Sequence, residues 1–85
     1  MTENILISEE ASAKGTERTL AILELLGRFR KGLSSSEIAR TLGLPVNTVG
    51  RITETMTKRG WLYRREDDRR YVLTNRVADL TRPQV

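Results

Sequence analysis

The chain has 85 residues, a formal net charge of +4, and neither cysteine nor histidine. That length makes one domain, short enough to bury only about 60% of the surface its unfolded form exposes. Disulfides, Cys/His metal sites and catalysis by a His base or Cys nucleophile are excluded. No apolar run approaches the roughly 20 residues that span a bilayer, and the acidic opening MTENILISEEAS lacks the basic start of a secretory signal. The totals point to a cytoplasmic protein that is not an enzyme and holds no metal or cofactor.

Charge is unevenly spread. Residues 1–42 carry six basic and six acidic side chains, and residues 43–85 carry nine and five, so the whole excess lies in the second half. A solvated face is the simplest reading of such an excess. Here it coincides with a turn, a helix and a hairpin, which favours a nucleic-acid partner.

In chain order, residues 1–15 read as a flexible segment: Ile5, Leu6 and Ile7 are apolar, but polar residues and Gly15 surround them. A short strand or helix docking through residues 5–7 is the alternative. The first strong helix is expected over 16–30, with Thr16 as cap, basic residues in the last turn and Gly32 as stop. Its apolar stripe is wider than one small core face requires, so part of it, through Leu20, Ile22, Leu25 and Phe29, is expected to make a homodimer contact, with a modestly apolar surface as the alternative.

The second helix spans about 35–42. Ser34 and Glu37 have the spacing of a capping box, Ile38, Ala39 and Leu42 point inward, and Gly43 ends it. The third runs from Pro45, well suited to a first helical position, to about Arg59. Val49, Ile52 and Met56 form its core face, and Asn47, Gly50, Arg51, Glu54 and Lys58 lie opposite. Strands are expected at 61–65 and 70–73, with Leu62 facing in beside Tyr71 and Leu73. A last helix over 75–81, capped by Thr74, turns Val77 and Leu80 inward, and residues 83–85 are a tail. The fold class is mainly α with a small β-hairpin: a winged helix-turn-helix with a three-helix core, a two-stranded wing and a short C-terminal helix, over 16–82.

Two short helices across a tight turn, followed by a basic hairpin, are suited to setting a helix in the DNA major groove with a wing beside it. Asn47 can pair with adenine and Arg51 with guanine. Val46 or Thr48 can meet a thymine methyl, and Gly50 permits close approach. Phosphate contacts are expected from Ser35 and Ser36 at a helix N-terminus, from Thr55 and Lys58, and from the wing arginines Arg64, Arg65, Arg69 and Arg70. Glu66, Asp67 and Asp68 argue against the wing tip itself lying on phosphate, and could instead pair with those arginines. Trp61, at a helix–strand junction, reads as packing.

From Thr16 to Leu80 the stretches RTLAILELL, SSEIARTLGLP, TV-x-R and GWLYR resemble the N-terminal winged helix of the IclR family of bacterial transcription regulators. The resemblance implies a DNA-binding transcription factor, usually dimeric on a palindromic operator, with the helix from Pro45 reading bases through Val46, Asn47, Thr48, Gly50 and Arg51. Three departures stand out. The family's large effector-binding domain has no counterpart before Val85, so no small-molecule effector is expected. Gly50 replaces a residue that is commonly bulky. Arg69 stands where the wing often has glycine, which suggests Asp67 or Asp68 in the left-handed position. A stand-alone prokaryotic or phage regulator, nucleoid-associated, fits this pattern, as does a fragment of a longer protein. The competing reading is a winged helix used for protein–protein interaction, its basic face incidental.

Overall fold

A computed structural model describes residues 2–81 and 83, with side chains from residue 13 onward. The order is α1 (Thr2–Arg28), α2 (Ser35–Leu42), α3 (Val46–Lys58), β1 (Leu62–Arg64), β2 (Tyr71–Leu73) and α4 (Arg76–Leu80). This is the expected winged helix-turn-helix. The core draws Ile22, Leu25 and Leu26 from α1, Ile38 and Ala39 from α2, Val49 and Met56 from α3, and Leu62 and Tyr71 from the hairpin. Ala39 is buried in this core, where a larger side chain would have to displace its neighbours.

The helix-turn-helix is built from local signals. Ser34 Oγ accepts from the Glu37 amide at 3.1 Å, and the Glu37 carboxylate accepts from the Ser34 amide at 2.8 Å. This capping box satisfies two of the amides that a helix start leaves unpaired. The Ser34 amide bond holds the Glu37 carboxyl below its ordinary value, and the nearby Arg70 and Arg40 charges act in the same direction. Gly43 ends α2 at φ 67°, a left-handed conformation that glycine adopts at little cost. Pro45 takes the N-cap position of α3, so the helix starts at Val46, one residue later than expected.

Thr53 is the one buried polar residue among those described, at 0% exposure. It tolerates this because its hydroxyl donates to the Val49 carbonyl at 2.8 Å and lies 3.2 Å from that of Gly50. Binary apolar patterning does not reveal such a residue, because the partner is backbone one turn earlier.

Several expectations change. α1 starts at Thr2, so residues 2–15, expected to belong to a flexible segment, lie within the helix and Thr16 is not a cap. Residues 2–14 include three glutamates, two alanines, a leucine and a lysine, good helix formers, and one glycine costs a helix only about 1 kcal/mol. Thr19 Oγ1 donates to the Gly15 carbonyl at 2.9 Å, inside the helix. Docking through residues 5–7 concerns side chains outside those described, as does most of the 83–85 tail.

Ile22 and Leu25 are core residues, not dimer contacts. Leu20 and Phe29 are exposed at 52% and 51%, but nine residues at 3.6 per turn set them about 180° apart. The wide stripe therefore serves more than one direction, and those four residues do not form a single contact face. Leu80 is 70% exposed and not inward, because α4 is five residues long and only Val77 turns toward the body. Thr74 does help start α4: its hydroxyl accepts from the Arg76 amide at 3.3 Å and donates to the Gly60 carbonyl at 2.6 Å. Trp61 packs against the core, with the Arg76 guanidinium 5.2 Å from its ring centre.

The strands pair antiparallel, Leu62 with Leu73, Tyr63 with Val72 and Arg64 with Tyr71. A further bridge joins Tyr71 to Leu33, in the loop between α1 and α2. Gly32, just before it, has φ 98°, and a Cβ there would lie 2.8 Å from Val72 Cγ1 and 2.9 Å from the Tyr71 carbonyl oxygen. Replacing Gly32 by alanine should therefore cost about 2 kcal/mol or more. Urea denaturation measures this, and a variant as stable as wild type would show that the loop shifts freely.

Candidate nucleic-acid interface

α3 presents one exposed side between α2 and the hairpin. The concave surface there is lined by Ser35 of α2, by Val46, Asn47, Gly50, Arg51, Glu54, Thr57 and Lys58 of α3, and by Arg64 and Tyr71 of the strands. Three cations stand on it against one carboxylate, which suits a polyanion. Around Gly50 nothing stands within 4 Å of where a Cβ would be, so a large partner can come close to the helix backbone.

Of the expected base-reading residues, Val46, Asn47, Gly50 and Arg51 come together on this surface. Thr48 is half-buried and lies outside it. Of the expected phosphate contacts, Ser35, Lys58 and Arg64 belong to it, and Ser36, Thr55, Arg65, Arg69 and Arg70 do not line it. Thr55 instead borders a second, mainly apolar groove that α3 forms with Leu20 and Leu23 of α1, Trp61 and Leu80. Its angular position on α3 explains the difference: Thr55 is one residue beyond Glu54, about 100° further round the helix.

The wing arginines have distinct environments. Arg64 Nε donates to the Arg69 carbonyl at 3.2 Å, and its guanidinium carbon lies 5.0 Å from the centre of the Tyr71 ring. Both contacts hold the charge beside α3 while leaving it exposed. Arg65 is engaged within the molecule: its guanidinium donates to the Lys31 carbonyl and makes two bonds to Asp68, at 3.1 and 2.7 Å. Arg70 approaches Glu37 at 3.8 Å, tying the wing to the start of α2. The expected pairing of wing arginines with the turn carboxylates thus holds for Arg65.

The turn itself differs from expectation. Neither Asp67 nor Asp68 is left-handed; Arg69 is, at φ 63°, the one such non-glycine residue among those described. The reason is the use of the two carboxylates. Asp67 accepts from the Asp68 amide at 2.7 Å and Asp68 accepts from the Arg70 amide at 3.1 Å. With Asp68 bonded two residues ahead, in the manner of an Asx turn, the reversal is left to the residue between. The Arg65 guanidinium, and next the Arg70 amide, keep the Asp68 carboxyl below its ordinary value. Glu54, Thr57 and Tyr71 were not singled out by the sequence as site residues. Glu54 was legible on the helical wheel, whereas Tyr71 reaches the face only through the strand register.

A family profile, the IclR helix-turn-helix domain, matches residues 15–66. Among solved structures the chain is similar to the Zalpha domain of Cyprinid herpesvirus 3 ORF112, characterised for its binding mode to Z-DNA. The identity is 27%, the match covers 69% of this chain and 95% of that one, and the TM-score is 0.64. No curated protein sequence matches.

A left-handed conformation at a residue with a Cβ costs about 1–2 kcal/mol. Arg69→Gly should therefore raise stability by about 1 kcal/mol in a urea titration. An unchanged midpoint would mean that the wing turn carries no strain at this residue.

Proposed function

Because the chain belongs to the IclR helix-turn-helix domain family, whose members bind DNA, we propose that it reads right-handed duplex DNA in a sequence-specific manner to control transcription. α3 enters the major groove and the wing lies along the neighbouring backbone. The observation that carries this reading is the single exposed face on which Asn47, Gly50 and Arg51 of α3 stand beside Arg64 of the wing. Asn47 and Arg51 are one helical turn apart, Asn47 suited to adenine and Arg51 to guanine. Lys58, Arg64 and the Ser35 hydroxyl supply phosphate contacts. Thr48 and Thr55, on the flanks of α3, and Ser36, Arg69 and Arg70, outside the concave face, serve at most as peripheral backbone contacts. Arg65 shapes the wing instead.

Anisotropy titrations on a duplex chosen by selection from random sequence test the proposal. Affinity should fall steeply with salt, because each neutralised phosphate releases condensed counterion. Arg51→Ala should relax preference at one base pair, a loss of about 1–3 kcal/mol of discrimination. Arg64→Ala should weaken all sequences alike and reduce the salt slope by about 0.9. Stronger binding to a left-handed alternating GC duplex than to any right-handed one would overturn the major-groove reading. Absence of any duplex binding would favour a protein-interaction module.

A homodimer remains part of the proposal, carried by the Leu20 side of α1, where Leu23, Trp61 and Leu80 continue the apolar surface. The selected site is then palindromic, since protein two-fold symmetry is mirrored in the operator. Sedimentation should find wild type dimeric on DNA and a Leu20→Lys variant monomeric with an unchanged circular dichroism spectrum. A wild type that stays monomeric at high concentration and on DNA removes this part.

A further inference from the structure

Glu54 is a carboxylate in the middle of a surface otherwise suited to a polyanion. It stands three residues after Arg51, four after Gly50 and seven after Asn47, so all four share one side of α3. Its side chain is 65% exposed, and its ion-pair contact among the described residues is Lys58 Nζ at 3.3 Å, itself on a side chain 75% exposed. A pair so open to solvent contributes about 0–1 kcal/mol and yields readily to a stronger partner. Nothing in the packing calls for an acid here.

The geometry points to Glu54 as a third base-reading residue, selecting cytosine, an inference that rests on the duplex-reading function proposed above. An ionised carboxylate has only acceptor oxygens. In the major groove its complement is the exocyclic N4 amino group of cytosine, whereas guanine offers two acceptors that repel it. The seven residues from Asn47 to Glu54 cover about 10 Å of helix axis at 1.5 Å per residue, comparable to about three base-pair steps of 3.4 Å. Three chemistries are thereby set out in order along one helix: an amide for adenine, a guanidinium for guanine and a carboxylate for cytosine. The open space at Gly50, one turn before Glu54, lets the groove approach closely enough for so short a side chain to reach a base edge. Opposite guanine or thymine the carboxylate meets acceptors and gains no base contact while standing near phosphate, so the same group weakens non-specific binding.

The test is selection from random duplexes with wild type and Glu54→Gln, both checked for equal thermal stability. Wild type should show, at one position beside the bases assigned to Asn47 and Arg51, a cytosine preference of about fivefold or more. Glu54→Gln should lose it in favour of adenine, which a glutamine amide pairs bidentately. The variant should also bind unselected duplex about two- to fivefold more tightly, as a negative charge leaves the interface. If wild type selects a site but Glu54→Gln selects the same bases at every position, the inference fails while the duplex-reading function stands. If wild type selects no site, both fail together.

Discussion

Two main-chain hydrogen bonds hold this small domain in its useful shape. The Leu33 amide donates to the Tyr71 carbonyl at 3.2 Å, and the Tyr71 amide donates back to Leu33 at 2.8 Å. They join the loop before the helix-turn-helix to the second strand of the wing, residues almost forty positions apart. A hairpin of two three-residue strands is marginal on its own, and this bridge gives it a third partner. Once Tyr71 is fixed, its ring is buried in the core and also supports the Arg64 guanidinium. The wing charge and α3 are thereby held in one frame.

Glycine at position 32 is what admits that bridge, since a side chain there would meet the Tyr71 carbonyl and Val72. Arg65 and Arg70 reinforce the same junction from outside, through the Lys31 carbonyl and the Glu37 carboxylate. Two of the four arginines crowded into the hairpin are thus taken up in positioning it. Arg64 is the one that lines the concave face beside α3, and its exposed charge depends on the others holding the strand in place.

On the proposed reading, the concave face of α3 combines attraction with discrimination. Lys58 and Arg64 would attract any duplex, which supplies affinity without choice. Asn47, Arg51 and Glu54 would add groups matched to particular base edges, and Gly50 removes bulk so that those groups can come near. A charged surface with one misfit carboxylate is better suited to choosing among duplexes than to holding all of them.

Local chemistry made much of this visible in the chain alone. The Ser34/Glu37 box, the Gly43 stop and the Pro45 start depend on neighbours within four residues, so α2, the turn and α3 could be read with boundaries correct to about a residue. The outward side of α3 followed from periodicity for the same reason. What the chain alone could not decide was which way a long apolar stripe faces and which arginines are free. Ile22 and Leu25 became core and Leu20 and Phe29 parted to opposite sides, because burial depends on where α2 and β2 pack against α1. Arg65 was claimed by Lys31 from across the fold, and Arg69 turned left-handed because the Asp68 carboxylate bonded the amide beyond it. Periodicity and capping are properties of adjacent residues. Burial and the partner of a long charged side chain are properties of distant ones, and only the folded arrangement brings those together.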